Sequence, residues 1–429
     1  MKIIQKRTSL NPPPALIDQL SAYCTDGAFF KPEPETREIR PAIQVGAHGA
    51  AGEASPTVYA QGPLPRELVR RVEIITPNFT RHLSGVTATL ERILPVLAQH
   101  SKIAALGTGL SVATTSIRFR DLPLVWEKPT FGDCRVWHAR RNIEMLAGIV
   151  LRDALGFPLR LVFTSASQRQ HTSWTRWLIR RMDEVIATSN KTAAYLERPA
   201  SVVGHGIATD AFFPARSREA ARAGLDLPNL KLIGCFGRIR RQKGSDVFVD
   251  AMLDVLASRR DVCGVLMGRA TFKHSALLTA MREKIEAAGL SQRFLILPEV
   301  AISEMPQWYR ALDIYVAPQR WEGFGVTPLE AMATGLPVIA TKVGAFPEIL
   351  TNDTGLLVNA GNVSEMTAAI LTLLDNPERS ASMGNAGRLR VFQEFSLEGE
   401  AKGINRVYQK LLGRQSSSIA TAERPSHTP

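Results

Sequence analysis

The chain has 429 residues, of which 45% are hydrophobic and 21% are charged, and its formal net charge is +12. At roughly 100–200 residues per domain, this length predicts two domains with extensions, and the composition is ordinary for a globular protein. No apolar run approaches the roughly 20 residues that a membrane-spanning helix needs, and the basic start has no apolar signal core behind it. The four cysteines lack the spacing of metal ligands. We therefore expect a cytoplasmic protein with reduced thiols.

The positive charge is concentrated in one stretch of the first half, where acidic residues are few. Its arginines are Arg135, Arg140, Arg141, Arg152, Arg160, Arg169, Arg176, Arg180 and Arg181. Such a block indicates a solvated face, a bound polyanion or an anionic surface. The sequence has no zinc-finger spacing, RNA-binding aromatic signature or basic-region heptad, so we expect no nucleic-acid partner. A charged small acceptor and an anionic membrane surface both fit the block.

Strand-like and helical runs alternate along most of the chain. Proline and glycine interrupt any period in residues 1–70, which we interpret as a poorly structured N-terminal extension with one short helix near residues 15–23. In residues 71–214 the predicted strands are 72–76, 103–106, 124–126, 159–163, 184–188 and 201–203. In residues 215–395 they are 232–236, 262–267, 294–297, 314–317, 338–340 and 355–358. This rhythm predicts an α/β fold in which two Rossmann-like, doubly wound parallel-sheet domains face a cleft.

Two further segments close the chain. We expect residues 396–414 to form a helix that packs back on the first domain. The tail, residues 415–429, is serine-rich and is expected to be disordered. Because ligands of doubly wound folds bind beyond the carboxyl ends of the strands, the loops at those ends are the candidate sites.

The most specific segment of the sequence is residues 320–340, where a Gly-Phe-Gly loop leads directly into a helix. Thr327 and Pro328 are both favourable in the first turn of a helix. Backbone N–H groups at a helix start can bind phosphate oxygens. Glu322 and Glu330 stand eight positions apart, one before the helix and one just over a turn into it. Their two carboxylates can therefore reach the same cavity from different depths.

This segment resembles the E-x7-E motif of retaining glycosyltransferases of the GT-B fold, specifically the large family 4. Residues 237–244 are similar to the G-R-x-x-x-x-K-G loop that begins the second domain in that family. Gly85-Val86, between a strand and a helix, looks like the glycine loop of its first domain. The likeness covers roughly residues 72–412 and is stronger in the second half.

Two finer features of the sequence refine the resemblance. Residues 205–214 match the family's linker motif N-G-I-D-x-x-x-F-x-P loosely, because His205 replaces the usual Asn and Ala208 stands where Asp is common. Residues 77–81, 84–87 and 137–145 look most like lipopolysaccharide-core mannosyltransferases. The resemblance therefore implies a hexosyltransferase that uses GDP-mannose.

The resemblance implies a nucleotide-diphosphate sugar as co-substrate, and no cofactor. Arg238 and Lys243 would hold the donor diphosphate, Glu322 would fix hydroxyls of the donor sugar, and Glu330 would bind the ribose hydroxyls. The remaining donor-binding residues are Gly85, Gly237, Gly323, Phe324 and Gly325. Taken singly, each residue has a plainer interpretation: a solvated basic turn, a carboxylate stabilised by a helix dipole, or a turn glycine.

The two cations of the second domain have a clear chemical purpose in this scheme. As the glycosidic bond breaks, negative charge grows on the leaving diphosphate, and one preorganised contact can stabilise the transition state by roughly 3–4 kcal/mol. The sequence has no Asp-x-Asp pair, the usual holder of a divalent ion against a diphosphate, so we expect no metal. Retention of configuration then points to front-face displacement, in which the departing phosphate helps to deprotonate the acceptor.

The first domain is expected to supply the acceptor side. His138 is the candidate that would orient a hydroxyl near the reacting centre, although a lone histidine is often structural. Arg135, Arg140 and Arg141 are the candidate acceptor-binding residues. Residues 167–183 combine tryptophans with arginines at helical spacing, which is typical of an interfacial helix and also of a core helix with a solvated basic face. These features fit an acidic glycolipid or lipopolysaccharide core at the inner face of the cytoplasmic membrane.

Other functions share this architecture. A UDP-sugar donor with another glycan acceptor, a nucleotide-sugar epimerase, a phosphorylase, and a non-catalytic nucleotide-sugar-binding protein at a membrane surface are the alternatives. A phosphorylase would need a pyridoxal-phosphate lysine, for which the sequence offers no context. The intact pairs Arg238/Lys243 and Glu322/Glu330 argue against a protein that has lost catalysis.

Overall fold

The computed structural model describes residues 62–80, 85–111, 114–129 and 132–414. All of them belong to one unit, Pro56–Pro429. The predicted helix near residues 15–23 and the tail at residues 415–429 lie outside the described residues, as does most of the predicted extension. The predicted boundary of this extension at residue 70 lies too far along the chain, because Leu64 and Val69 are fully buried in the core of the first domain.

The first domain is built on a parallel sheet of seven strands in the order β3-β2-β1-β4-β5-β6-β7. The strands are β1 (Ile74–Asn78), β2 (Ile103–Gly107), β3 (Ser116–Ile117), β4 (Arg135–Ala139), β5 (Leu159–Ser165), β6 (Glu184–Ala187) and β7 (Ser201–Val202). Every position of β1 and β4 is buried, as expected for central strands covered on both faces. The strand order reverses between these two strands.

The second domain contains a parallel sheet of six strands in the order β10-β9-β8-β11-β12-β13. The strands are β8 (Lys231–Phe236), β9 (Val262–Met267), β10 (Phe294–Leu297), β11 (Ile314–Ala317), β12 (Val338–Thr341) and β13 (Gly355–Val358). Their predicted bounds hold to within one residue, because these strands are short apolar runs with clear breaks at both ends. The two doubly wound sheets confirm the predicted fold class.

Helices cover both faces of each sheet, so each sheet separates two hydrophobic clusters. They are α1 (Arg66–Val69), α2 (Gly85–His100), α3 (Asn142–Ile149), α4 (Ser173–Arg180), α5 (Asn190–Ala194), α6 (Arg218–Ala223), α7 (Ser245–Ser258), α8 (Ser275–Ala287), α9 (Met305–Ala311), α10 (Thr327–Ala333), α11 (Phe346–Ile349), α12 (Val363–Asp375), α13 (Pro377–Glu394) and α14 (Leu397–Leu411). Within the described part of the chain, none of the helices has the length and apolarity that crossing a membrane requires.

The main difference from the sequence prediction is that β4, and not residues 124–126, forms a strand. The predicted strand at residues 124–126 is instead the end of a 3-10 helix, Phe119–Val125, that contains Pro123. Proline cannot donate a hydrogen bond to a strand ladder, which explains why this apolar run does not pair. The true strand was missed because Arg135 and His138 interrupt its apolar pattern. Both side chains are buried nonetheless, since each finds polar partners inside the first domain.

The chain crosses between the domains twice, and the two crossings run side by side. The Ile207 N–H donates to the Phe395 carbonyl (2.8 Å), and the Leu397 N–H donates to the Ile207 carbonyl (3.0 Å). After the second crossing, α14 lies against α2 of the first domain, where Tyr408 and Leu90 share one hydrophobic cluster. The last described helix, α14, therefore packs on the first domain.

Candidate active site

A cleft of about 820 Å³ opens at the carboxyl ends of both sheets. On one side it is lined by residues that follow β4 and β5 and by the start of α2. On the other side it is lined by residues that follow β8 and β11. Both sheets reverse their strand order at these strands, and such switch points are where doubly wound folds bind ligands. Gly85, one of the predicted donor-binding residues, lines the first-domain side at the start of α2.

The loop after β8 brings two cations into the cleft. Gly237, Arg238 and Lys243 all line it. The loop ends at Gly244, whose φ is +71° and whose missing side chain leaves room for the Pro318 carbonyl. Any Cβ at this position would collide with that carbonyl, so glycine fixes the path of the loop. The loop then passes directly into α7, which begins at Ser245.

The Gly-Phe-Gly loop after β11 faces those cations. Glu322 forms an ion pair with Lys243, and its other carboxylate oxygen accepts the Gly323 N–H (3.1 Å). Both ionic side chains are mostly buried, with exposed fractions of 24% for Lys243 and 15% for Glu322. Gly325 has a φ of +85°, which favours glycine, and Phe324 is 5% exposed. The structure thus brings Glu322, Gly323, Phe324 and Gly325 together with the loop after β8, which carries Arg238 and Lys243.

Glu330 lies deeper and is not among the residues that line the cleft. Its Oε2 accepts the Tyr309 hydroxyl (2.9 Å), and its Oε1 lies 3.8 Å from Nη1 of Arg92, on α2 of the first domain. Burial raises the pKa of this carboxyl, although Arg92 and the Tyr309 hydroxyl act in the opposite direction. The two carboxylates of the motif therefore occupy different depths, and only Glu322 borders the cleft.

His138 is buried in β4 and does not line the cleft, which corrects the expectation that it contacts a substrate. Its Nδ1 lies 2.6 Å from the Tyr408 hydroxyl and its Nε2 lies 2.6 Å from the Thr164 hydroxyl. Burial, and secondarily the charge of Arg140, lowers the pKa of His138 well below its usual value. Of these partners, Thr164 and Arg140 line the cleft. His138 is therefore a neutral group behind the cleft wall.

Two of the three predicted acceptor-binding arginines are structural. The Arg135 guanidinium donates to the carbonyls of Arg70, Val72, Val125 and Glu127, at the end of β4 remote from the cleft. Burial lowers the pKa of Arg135 to about 10.

Arg141 does not line the cleft either. It donates to Asn78 (2.8 Å) and Thr87 (3.0 Å) and forms an ion pair with Glu144 (2.7 Å), which ties α3 to the end of β1 and the start of α2. Adjacent arginines thus play different roles, since Arg140 does line the cleft.

Unpartnered polar atoms mark the cleft wall. Among the described residues, eight buried side-chain nitrogen or oxygen atoms have no hydrogen-bond partner, and five belong to residues that line the cleft. These five are Arg140 Nη1, Ser167 Oγ, His171 Nε2, Arg240 Nε and Gln319 Oε1. An unpaired buried polar group costs about 1–3 kcal/mol, and native proteins contain few of them. Their concentration here indicates that the cleft wall is built to bind a polar ligand.

Ser167, Arg169 and His171 were not among the site residues predicted from the sequence. All three follow β5 and line the first-domain side of the cleft. Burial, and secondarily Arg169, lowers the pKa of His171. The available signal was their position just beyond the carboxyl end of a predicted strand, rather than their membership in the arginine block.

Most other arginines of that block form ion pairs with acids that are distant in sequence, so that five arginines share three carboxylates. Arg176 and Arg180 pair with Glu197 (2.8 and 3.2 Å), and Arg181 pairs with Asp153 (3.0 Å). Arg152 and Arg160 pair with acids as well. The basic stretch is therefore less positive in space than it is in sequence.

Comparison with known proteins identifies the family. A family model described as glycosyl transferases group 1 matches residues 230–376. The lipopolysaccharide core biosynthesis mannosyltransferase LpsB of Rhizobium meliloti (strain 1021) is 50% identical over 349 residues, which are 80% of this chain and 99% of LpsB. The chain is a group 1 glycosyltransferase. The corresponding enzyme LpcC of Rhizobium leguminosarum bv. viciae is 45% identical over 347 residues, or 80% of this glycosyltransferase and 98% of LpcC.

Solved structures share the fold of this glycosyltransferase. Anabaena HepE in complex with UDP has a TM-score of 0.68 at 19% identity, over 79% of this chain and all of HepE (100%). Sucrose-phosphate synthase from Thermosynechococcus elongatus has a TM-score of 0.66 at 21% identity, over 80% of this chain and 100% of the synthase. At these identities the likeness establishes the GT-B architecture and nothing finer.

Proposed function

We propose that this glycosyltransferase moves mannose from GDP-mannose onto a lipopolysaccharide core or a related acidic glycolipid, with retention of configuration. The observation that carries the proposal is the cleft itself, where Lys243 pairs with Glu322, Arg238 lines the same side, and Arg140 lines the first-domain side. The choice of mannose and of acceptor rests on the relatives LpsB and LpcC, whose names describe lipopolysaccharide core mannosyltransferases.

In the proposed reaction, the chain stabilises charge on the leaving group. The bond between the sugar C1 and the phosphate oxygen breaks, and Arg238 and Lys243 stabilise the negative charge that develops on the diphosphate. The acceptor oxygen forms the new bond to C1 on the same face, and its proton passes to the departing phosphate. Glu322 fixes the donor hydroxyls rather than attacking C1. A glycosyl ester trapped on Glu322 would contradict this mechanism.

Arg140 and Arg169 supply the acceptor side of the proposed site. The Arg140 guanidinium has a buried nitrogen without a protein partner, and burial lowers the pKa of its guanidinium. A carboxylate or phosphate on the acceptor would pair with it and remove the cost of that burial. Ser167 and His171, which also have unpartnered buried atoms, would bind hydroxyl or acidic groups of the same acceptor.

The experiment that tests the function is nucleotide-diphosphate release from GDP-, UDP- and ADP-sugars, with and without a lipopolysaccharide-core acceptor. GDP-mannose turnover stimulated by the acceptor is the expected result. Preference for a UDP-sugar would keep the enzyme class and reject mannose from GDP-mannose. Binding of donors without any turnover would favour a nucleotide-sugar-binding protein.

Metal independence is part of the same proposal. Arg238 and Lys243 provide the charge that a divalent ion would otherwise supply at the diphosphate. We expect turnover to survive EDTA. Abolition by EDTA with rescue by Mn²⁺ would contradict this part of the proposal and leave the enzyme class intact.

We also propose that α4 rests on the anionic inner face of the cytoplasmic membrane. Trp174 and Trp177 stack at 5.1 Å between ring centroids and remain 49% and 39% exposed, and the Arg181 guanidinium lies 4.8 Å from the Trp177 ring centre. Exposed tryptophans beside arginines suit a membrane interface. Binding to liposomes should rise with anionic lipid content and fall with salt.

A matched pair of variants tests this surface. A Trp174→Ser/Trp177→Ser double variant should lose liposome binding, whereas Phe272→Ser should keep it, because Phe272 is a 97% exposed aromatic in the second domain. Equal binding of wild type to neutral and anionic vesicles would count against the proposal.

A further inference from the structure

The first crossing between the domains carries a histidine that lines the cleft. His205 follows Gly204 and begins the segment that pairs with residues 395–397. Its side chain is 14% exposed. The ring meets the Phe324 ring edge to face, at 5.0 Å between centroids, so it stands beside the Gly-Phe-Gly loop. His205 therefore lies on the first crossing and also lines the cleft.

A buried carboxylate on α14 fixes the orientation of this ring. Glu400 Oε1 lies 2.9 Å from His205 Nδ1, and Glu400 Oε2 accepts the Gly206 N–H (2.8 Å). The Glu400 side chain is 4% exposed. Burial raises the pKa of Glu400, but His205, the Gly206 N–H and the positive charge of Arg92 together outweigh it and leave the pKa below its usual value. The carboxylate is therefore ionised and accepts hydrogen bonds only.

This hydrogen bond determines which ring nitrogen is available to a ligand. Because ionised Glu400 cannot donate, His205 Nδ1 carries the proton that joins them. Nε2 has no hydrogen-bond partner among the described residues. Nε2 is therefore the ring nitrogen left for a ligand, and a hydroxyl group suits it because a hydroxyl both donates and accepts hydrogen bonds. The cations Arg238 and Lys243 already serve the phosphates of the proposed donor.

We propose that His205, held by Glu400, is a positioning residue whose Nε2 forms a hydrogen bond with a hydroxyl of the donor's transferred sugar. The inference rests on the proposed function, since it requires a nucleotide-diphosphate sugar in the cleft. It adds a group that distinguishes the sugar-bearing donor from the bare nucleotide diphosphate. Glu400 acts through His205 and does not touch the ligand.

The test compares His205→Phe with wild type for two ligands, GDP-mannose and GDP. Loss of one hydrogen bond should weaken GDP-mannose binding and reduce kcat/KM about tenfold, whereas GDP binding stays unchanged because GDP lacks the transferred sugar. His205→Gln, which keeps a hydrogen-bonding side chain, should recover part of the loss. His274→Phe is the matched control in the second domain and should leave both ligands unaffected.

A double-mutant cycle separates positioning from folding. Glu400→Gln should lower kcat/KM for GDP-mannose in the wild-type background and have no further effect in the His205→Phe background. Equal losses for GDP and GDP-mannose, or full activity in His205→Phe, would overturn the inference. If wild type turns over no sugar donor, the proposed function fails separately. The affinities of wild type and His205→Phe then still decide the inference, because an unchanged affinity for GDP-mannose, or an equal loss for both ligands, would overturn it.

Discussion

The Lys243–Glu322 pair makes one prediction that separates catalysis from stability. In Lys243→Met the side chain keeps its length but loses its charge. If Lys243 stabilises the leaving diphosphate by about 3–4 kcal/mol, kcat should fall by roughly 10²–10³. Because Glu322 is 15% exposed, it then keeps a mostly buried charge without a counterion, which should cost about 1–3 kcal/mol of folding stability.

The double variant Lys243→Met/Glu322→Gln gives the discriminating result. It removes the uncompensated charge, so the melting temperature should return toward that of wild type while turnover stays low. The assay is steady-state nucleotide-diphosphate release alongside thermal unfolding. Lys273→Met is the control, because Lys273 is exposed in the second domain and lies outside the cleft. A double variant that regained turnover, or a single variant within tenfold of wild-type kcat, would refute the assigned role of Lys243.

Three other outcomes follow from the site. Arg140→Gln should raise the KM for the acceptor about tenfold and leave the donor KM unchanged, as measured by varying each substrate separately; an unchanged acceptor KM would remove Arg140 from the acceptor site. Glu330→Gln should raise the KM for the donor about tenfold if its carboxylate binds the ribose, and equal donor kinetics would exclude that contact. The pKa of Glu400 is depressed, so its stabilising contribution is present above its unfolded pKa of about 4.3 and is lost as pH falls through the folded value. The melting-temperature difference between wild type and Glu400→Gln should therefore shrink below about pH 4, and a constant difference would contradict the sign.

The second domain was predictable because its local signals agree with one another. Its strands are apolar runs, and its loops carry glycines where the backbone needs them, as at Gly244 and Gly325. The resemblance to the family's motifs lies in the same loops. Consequently the sequence indicated the strands of this domain and the two loops that border the cleft, although Glu330 does not line it and Arg240 and Gln319 were not predicted.

The first domain was harder to predict, because its buried polar residues depend on distant partners. Arg135 is satisfied by four backbone carbonyls from two other segments, and His138 by a tyrosine 270 residues away. No local sequence pattern indicates such distant hydrogen-bond partners. For this reason β4 was missed, and Arg135 and His138 were both assigned to the site. The ion pairs of the arginine block are similarly nonlocal, which is why the sequence overstated its positive charge.

The most direct test of the proposed function is the mass and the anomeric NMR signal of a lipopolysaccharide-core acceptor incubated with this glycosyltransferase and GDP-mannose. We expect that the acceptor gains one hexose, that the new linkage has the α configuration of the donor, and that Lys243→Met produces little of it. An unmodified acceptor after complete release of GDP would mean that water or another molecule is the acceptor. An acceptor modified only from UDP-sugars, or with inverted configuration, would contradict the proposed function.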